Sequence, residues 1–442
     1  MTEQSKSRQI KSMRQQNKVK LLISQGLALH KNEKFEKAQA IYEQVLSIEA
    51  NHFDALNLLG DLSVQTKKYT KAIDFLNKAL QINPHHAASY SNHGIALKEL
   101  MRFEEALASF DKAISIKPDF ALAYSNRGIV LKELKHFQDA LASFDKAICI
   151  KADYADAHSN RGNTLQELDR YDEALISYDK AININSDYSE AYFNRGNLLK
   201  KLNRFDEAIT SYENALSINP NFIKAQYELA TLGVGEKPKV MPRDSVVSLF
   251  DNYADRFDDH LVGVLDYQTP TILFDQYKHY NTLKIKKLLD LGCGTGLSGD
   301  VFRNSADNMI GVDLSEGMLS KAKLKQIYTK LVCEDILHFL EKQNDKFELI
   351  ICADVFVYIG ELKDIFFHIT SSLEEKGFFS FSIENSQSVS YELKITGRYG
   401  HGLSYIKEIA KSNNLSILDI HEINLRKDKG RFVSGAAILL QK

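Results

Sequence analysis

The sequence is poor in cysteine: there are four in 442 residues and none forms a C-x-x-C pair, so neither a zinc ribbon nor a dithiol redox motif is available. Cys149 falls at an apolar helical position, Cys333 and Cys352 lie in apolar strand-like runs, and Cys293 lies between glycines. Buried free thiols of this kind fit a reducing compartment. No apolar run approaches the roughly 18 residues that a membrane-spanning helix requires. Lys6, Arg8, Lys11, Arg14, Lys18 and Lys20 form a basic lead-in, but no apolar stretch and cleavage site follow, so a solvated helix is expected rather than a signal peptide. Net charge is −2, which gives no general attraction for nucleic acid or an anionic membrane. The expectation is a cytoplasmic protein with no membrane partner, no nucleic-acid partner and no metal.

What is present begins with a period. Gly26, Gly60, Gly94, Gly128, Gly162 and Gly196 are spaced 34 residues apart. Nine residues after each comes Phe35, Tyr69, Phe103, Phe137, Tyr171 or Phe205, and twelve after each comes Ala38, Ala72, Ala106, Ala140, Ala174 or Ala208. This pattern resembles the tetratricopeptide repeat. Phe103, Ala106, Leu107, Phe110, Ala113 and Ile114 recur at helical spacing, and the small Gly94 and Ala106 let two antiparallel helices approach. Pro84, Pro118 and Pro220 mark unit ends. One unit cannot bury its own stripe, so six should stack into a right-handed solenoid, with a capping helix over 222–232. Residues 1–232 are read as this array, 233–244 as a linker with two glycines and two prolines, and 245–442 as a second domain.

Asn92, Asn126, Asn160 and Asn194 recur at one position of the first helix of their units, three of them beside Arg127, Arg161 and Arg195. Such a ladder can hydrogen-bond the backbone of an extended peptide; the alternative is a set of polar fillers on a solvated groove. A protein or peptide in the groove is the expected partner.

In the second domain, residues 288–299 read LLDLGCGTGLSG. A short apolar strand runs into a turn with Gly292, Gly294 and Gly296, then into a helix whose free N–H groups can face a nucleotide-like ligand. Gly294 to Gly299 fits G-x-G-x-x-G, with Asp313 19 residues past Gly294, which by itself permits a dinucleotide. Asp290 favours a ligand carrying an ammonium or sulfonium group over a pyrophosphate. Strands are expected at 288–291, 309–312, 331–333, 348–352, 378–383, 417–423 and 435–440, with helices between most of them, as in a doubly wound sheet with a closing hairpin. Asp290, Asp313, Asp335 and Asp354 fall at four carboxyl-terminal strand ends, where such sheets bind ligands.

The run D-x-G-C-G-T-G and the acids in register resemble the class I S-adenosylmethionine-dependent methyltransferases. The repeats together with FDNYADRFDDHL, ADVFVYIGEL and GRYGHG resemble a bacterial family of repeat-containing methyltransferases, whose methyltransferase half is similar to biotin- and quinone-pathway enzymes. The fold implied is an all-α tetratricopeptide-repeat solenoid followed by an α/β Rossmann-like methyltransferase domain. S-adenosylmethionine is the implied cofactor. The resemblance puts Gly292, Cys293, Gly294 and Gly296 around it, Asp290 near its ammonium, and Asp313 on its ribose hydroxyls. It puts Leu314 and Met318 against adenine and ribose, Asp335 and Ile336 at the adenine, and Asp354 and Val355 beside the transferred methyl. A helix over 245–261 is expected to act as a lid, with Tyr253 and Phe257 over the methionine end.

Acceptor chemistry is less legible. There is no Asp/Asn-Pro-Pro-Tyr after the fourth strand and no Pro-Cys nucleophile, which argues against adenine or glutamine N-methylation and against cytosine C5-methylation. His401, in the glycine-rich GRYGHG stretch, is the candidate general base, with Asp354 as a second candidate catalytic residue. The reading is a methyltransferase whose array recruits a protein partner or substrate. The alternative is a repeat scaffold with a catalytically silent methyltransferase-like domain, and a dinucleotide oxidoreductase ranks third.

Overall fold

A computed structural model describes residues 3–251, 253–263, 265–428 and 430–442, without the side chains of residues 3–12 and Val262. Asn252, in one of the stretches singled out above, and Lys429 lie outside the described residues, as do the side chains of Lys6, Arg8 and Lys11. The chain divides into two compact units, Met1–Ile218 and Asn219–Lys442.

The first unit is six helix pairs: α1 (Glu3–Lys31) and α2 (Phe35–Ile48), α3 (Phe53–Gln65) and α4 (Tyr69–Ile82), α5 (Ala87–Glu99) and α6 (Phe103–Ile116), α7 (Ala121–Glu133) and α8 (Phe137–Ile150), α9 (Ala155–Glu167) and α10 (Tyr171–Ile184), α11 (Ser189–Lys201) and α12 (Phe205–Ile218). Each repeat glycine faces one large side chain of its partner helix. A Cβ added at Gly128 would lie 2.7 Å from the Phe144 ring, and one at Gly162 would lie 2.6 Å from Tyr178. Tyr42, Phe110, Phe144, Tyr178 and Tyr212 are wholly buried in these contacts. The turn inside each pair passes through a left-handed residue: Glu33, Lys67, Met101, Lys135, Asp169 and Asn203 all have φ of 56–61°. Paired backbone bonds close these turns, as where Lys67 N donates to Val64 O (3.0 Å) and Lys68 N to Ser63 O (2.8 Å).

The arginines beside the asparagine ladder have a structural use. Arg127 donates to Asp111 (2.6 Å) and Ser143 (2.8 Å), Arg161 to Asp145 and Ser177, and Arg195 to Asp179 and Ser211. Each ties the second helix of the preceding unit to the second helix of its own.

The second unit contains α13 (Ile223–Thr231), α14 (Arg243–Asp251), α15 (Phe257–Gly263) and α16 (Thr269–Tyr280), then β1 (Ile285–Leu291), α17 (Leu297–Phe302), β2 (Ala306–Asp313), α18 (Glu316–Leu324), β3 (Lys330–Cys333), α19 (Ile336–Lys342), β4 (Phe347–Cys352), α20 (Lys363–Ser372), β5 (Leu373–Glu384), β6 (Tyr391–Leu393), β7 (Tyr399–His401), α21 (Leu403–Ser412), β8 (Ser416–Asp428) and β9 (Arg431–Gln441). The sheet order is β3-β2-β1-β4-β5-β9-β8. The first five strands are parallel and β9 and β8 antiparallel. Helices cover both faces, so β4 is a near-continuous apolar run and β1 is buried from Leu288 to Leu291. Phe356, Phe366, Phe379 and Phe381 cluster on one face, with Phe379 and Phe381 stacked at 4.5 Å.

Three expectations change. The stretch 245–261 is not one helix: α14 ends at Asp251, a 3-10 turn occupies Ala254–Arg256, and α15 follows. The helix assigned as a cap on the repeats, α13, lies within the second compact unit. The stretch read as a linker is pinned along that unit: Val240 bridges Ile359, Lys239 O accepts from Gly360 N (2.7 Å), and Met241 N donates to Tyr358 O (2.9 Å). No helix among the described residues is long and apolar enough to cross a membrane.

Candidate functional site

The strand order reverses between β1 and β4, and the chain ends of those two strands open a crevice there. A cavity of about 1060 Å³ lies at this point. The glycine turn forms its floor. Gly292 has φ +70°, and a Cβ there would lie 2.2 Å from Val355 Cγ2, so only glycine fits. Gly294 has φ +54° and nothing within 4 Å of where a Cβ would stand, so its backbone faces open space beside the cavity. Gly296, φ +88°, starts α17 but does not line the cavity.

Asp313 is set by backbone donors: Gly294 N to Oδ2 at 2.8 Å and Ser315 N to Oδ1 at 2.9 Å. Burial pushes its carboxyl up, while the Ser315 and Gly294 N–H groups hold it down. Ser315 caps α18, accepting from Met318 N at 3.0 Å. Asp335 caps α19 by accepting from Leu337 N and His338 N. Asp354, at φ +56°, donates its N–H to Ser382 Oγ, and its Oδ1 accepts from that hydroxyl at 3.0 Å. Its Oδ2 lies 3.3 Å from Arg426. Burial raises the Asp354 carboxyl and Arg426 opposes that rise.

Of the candidate cofactor residues, Gly292, Cys293, Gly294, Asp313, Leu314, Asp335, Ile336, Asp354, Val355 and Tyr253 line the cavity. Asp290 does not. It is buried behind the turn, where Tyr328 donates to its Oδ2 at 2.6 Å and its Oδ1 has no partner among the described residues. Burial pushes its carboxyl up to about 7. Met318 is likewise buried off the cavity wall. Both sit beneath the surface that the resemblance assigned them to touch.

His401 is the clearest correction. It is fully buried, Nε2–H donates to Gly360 O (3.0 Å), and its ring stacks on Tyr405 at 6.2 Å. Desolvation pushes it down to about 4, so it is neutral near pH 7. It does not line the cavity, because residues 399–401 form β7 of a small hairpin instead of an open loop. From GRYGHG only Arg398 reaches the cavity wall.

Several lining groups went unread in the sequence. His260 lines the cavity and pairs through Nδ1 with the Tyr253 hydroxyl. Arg426 is buried on β8 between Asp354 and Glu384. Tyr267 and Tyr358 complete this end. Three acids of residues 251–258 are held by contacts with the rest of the second unit. Asp251 accepts from Ser315 Oγ and Gly317 N, Asp258 from Thr295 and Lys325, and Asp255 pairs with Lys321. Residues 251–258 are therefore tied to the glycine turn and to α18 by carboxylates.

The asparagine ladder is uneven. Asn92 donates to Asp61 (3.1 Å), and buried Asn126 donates to its own helix at Leu122 O (3.0 Å). Only Asn160 and Asn194 are half-buried without a side-chain hydrogen bond among the described residues.

A seven-stranded sheet of this order, closed by an antiparallel pair and opening a glycine-lined crevice at its switch point, is the class I methyltransferase architecture, here carried behind a tetratricopeptide array. A methyltransferase-domain family matches residues 288–377, and tetratricopeptide-repeat families match 29–92, 102–135, 155–188 and 189–222. The methyltransferase domain is similar to ubiquinone biosynthesis O-methyltransferases. That of Coxiella burnetii (strain Dugway 5J108-111) is 27% identical over 170 residues, 34% of this chain and 72% of that protein. That of Hydrogenovibrio crunogenus (strain DSM 25203 / XCL-2) is 23% identical over 125 residues, 27% of this chain and 51% of that protein. Among solved structures, an S-adenosylmethionine-dependent methyltransferase from Clostridium acetobutylicum ATCC 824 aligns with TM-score 0.35 at 24% identity, covering 43% of this chain and 98% of that one.

Proposed function

We propose that the second unit is an S-adenosylmethionine-dependent O-methyltransferase, and that the repeat array binds a protein or peptide that supplies or accompanies the acceptor. The observation carrying this reading is the cradle at Gly292–Gly294, with Asp313, Asp335 and Asp354 around one cavity. The open space at Gly294 and the carboxylates at three strand ends suit a cofactor with a ribose, an adenine amine and a sulfonium. Asp313 would take the ribose hydroxyls, Asp335 and Ile336 the adenine, and Gly292 to Gly294 the methionine portion. When bound, the cofactor supplies an electrophilic methyl group.

The chain's own part is to orient an acceptor oxygen and to take its proton. His260, hydrogen-bonded to Tyr253, is the one histidine on the described cavity wall and replaces His401 as the candidate base. The latched lid keeps water from this end. Similarity to O-methyltransferases supports oxygen as the methylated atom.

The test is release of S-adenosylhomocysteine by the full chain with candidate acceptors and with proteins retained on the repeats. His260→Asn should lower kcat by about 10²-fold or more and leave cofactor affinity unchanged. Unaltered turnover would remove His260 from this role. In the groove, changing Asn160 and Asn194 together to Ala should weaken partner retention and spare cofactor binding.

A further inference from the structure

Around Asp354 the described cavity wall carries a cation that stands outside the local ion pairs. Asp354 and Glu384 face Arg426 and Lys394: Arg426 Nη1 lies 3.3 Å from Asp354, Arg426 Nη2 lies 3.0 Å from Glu384, and Lys394 Nζ lies 2.7 Å from Glu384. Two carboxylates and two cations make this cluster neutral. Arg398 stands next to it on the cavity wall, in contact with the Tyr358 hydroxyl, and has no carboxylate within ion-pair distance among the described residues. An unpaired guanidinium in a cavity selects an anion.

Arg398 is also held from both sides. Tyr227, on α13, donates its hydroxyl to Gly397 O at 2.7 Å, and the Tyr399 hydroxyl donates to Pro238 O at 2.9 Å. The residues before and after Arg398 are thus fastened to the segment between the last repeat and the lid. That segment brings apolar surface to the same cavity. Ile223, Val240 and Leu249 line it and remain 64%, 51% and 47% exposed, although large aliphatic side chains gain by burial.

We propose that Arg398 is the anion-recognising residue of the acceptor site, positioned by Tyr227 and the 238–241 strap, and that the acceptor is an apolar molecule bearing a monoanionic head group. The head group pairs with Arg398 and the apolar body covers Ile223, Val240 and Leu249. This rests on the methyltransferase reading of the cavity.

The experiment titrates decanoate and, separately, decanol into the full chain, with and without saturating S-adenosylhomocysteine. Decanoate is expected to bind at least tenfold more tightly than decanol. Arg398→Gln should abolish that preference without altering affinity for S-adenosylhomocysteine. Tyr227→Phe should weaken decanoate several-fold and leave decanol unchanged, an effect that separates positioning from bulk stability. Equal affinity for the two probes would overturn the proposal. So would an unchanged preference in Arg398→Gln, or a loss of S-adenosylhomocysteine binding in that variant, which would assign the arginine to the cofactor. If S-adenosylhomocysteine fails to bind wild type while the decanoate preference persists, the cofactor reading falls and the anion site stands.

Discussion

Asp290 offers a quantitative handle on the buried chemistry behind the glycine turn. Its carboxyl is raised from an ordinary 3.8 to about 7, mainly by burial, against the stabilising hydrogen bond from Tyr328. The native state therefore keeps a proton that the unfolded chain releases near pH 4. Between those two values the native state binds more protons than the unfolded one, so stability falls as pH rises from about 4 to 7 and is flat above. At about 1.4 kcal/mol per pH unit, the whole loss is of order 4 kcal/mol, of which about 3 kcal/mol falls between pH 5 and pH 8. For a unit of this size each kcal/mol moves the midpoint by about 2–4 °C, so roughly 6–12 °C is at stake. Asp290→Asn mimics the protonated carboxyl and keeps an acceptor for Tyr328. The assay is thermal unfolding of both proteins by circular dichroism at pH 5, 6, 7 and 8 without ligand, since the chain has no tryptophan. The difference between the two proteins isolates Asp290 from Asp313 and Asp354, which are also raised. The variant should already exceed wild type slightly at pH 5, by about 1–2 kcal/mol, and by about 4 kcal/mol at pH 8, so that the gap between the two widens with pH. Parallel profiles, or a variant that is less stable at pH 8, would refute the reasoning.

Other outcomes follow from single contacts. Gly292→Ala drives a Cβ into Val355 at a backbone angle that suits glycine, so cofactor affinity should drop at least tenfold by calorimetry; wild-type affinity would contradict the cradle. Phe144→Ala leaves a cavity against Gly128 and should cost about 3–5 kcal/mol in the unfolding transition of the repeats, with cofactor binding intact. His401→Gln removes a buried ring held on Gly360 and should lower stability by about 1–3 kcal/mol without moving the pH dependence of kcat; a shifted pH profile would restore it as a base.

Much of the fold could be read in the residues because its signals are periodic. The 34-residue spacing of Gly26 to Gly196 located all six helix pairs, and each glycine proved to face a ring or, at Gly60, a leucine. The acids at Asp313, Asp335 and Asp354 marked strand ends that meet at one cavity. What failed depended on long-range packing. The glycine-rich GRYGHG stretch supplied the candidate base, but Tyr391 to Leu393 pairs with Tyr399 to His401 and carries His401 into the core. Asp290 was assigned to the ligand by motif position, while Tyr328, 38 residues away, takes it from behind. Arg426 gave no sequence signal because its partners Asp354 and Glu384 are 72 and 42 residues distant. The glycines and prolines of 233–242 broke the helical period as a linker would, yet backbone bonds to Tyr358 and Gly360 hold that stretch as a strap. The contacts of Asp251, Asp255 and Asp258 with Ser315, Lys321, Thr295 and Lys325 were equally out of reach, since their partners lie 37 to 67 residues away.

Cofactor binding is the claim on which the rest depends. The direct measurement is calorimetric titration of S-adenosylmethionine, S-adenosylhomocysteine and NADH into the full wild-type chain and into Asp313→Ala. Saturable binding of the two adenosyl compounds at one equivalent, no binding of NADH, and loss of adenosyl binding by Asp313→Ala with unchanged circular dichroism are the expected results. Absence of adenosyl binding to wild type, or undiminished affinity in Asp313→Ala, would contradict the assignment, and the former would leave the repeats as the functional half of the chain.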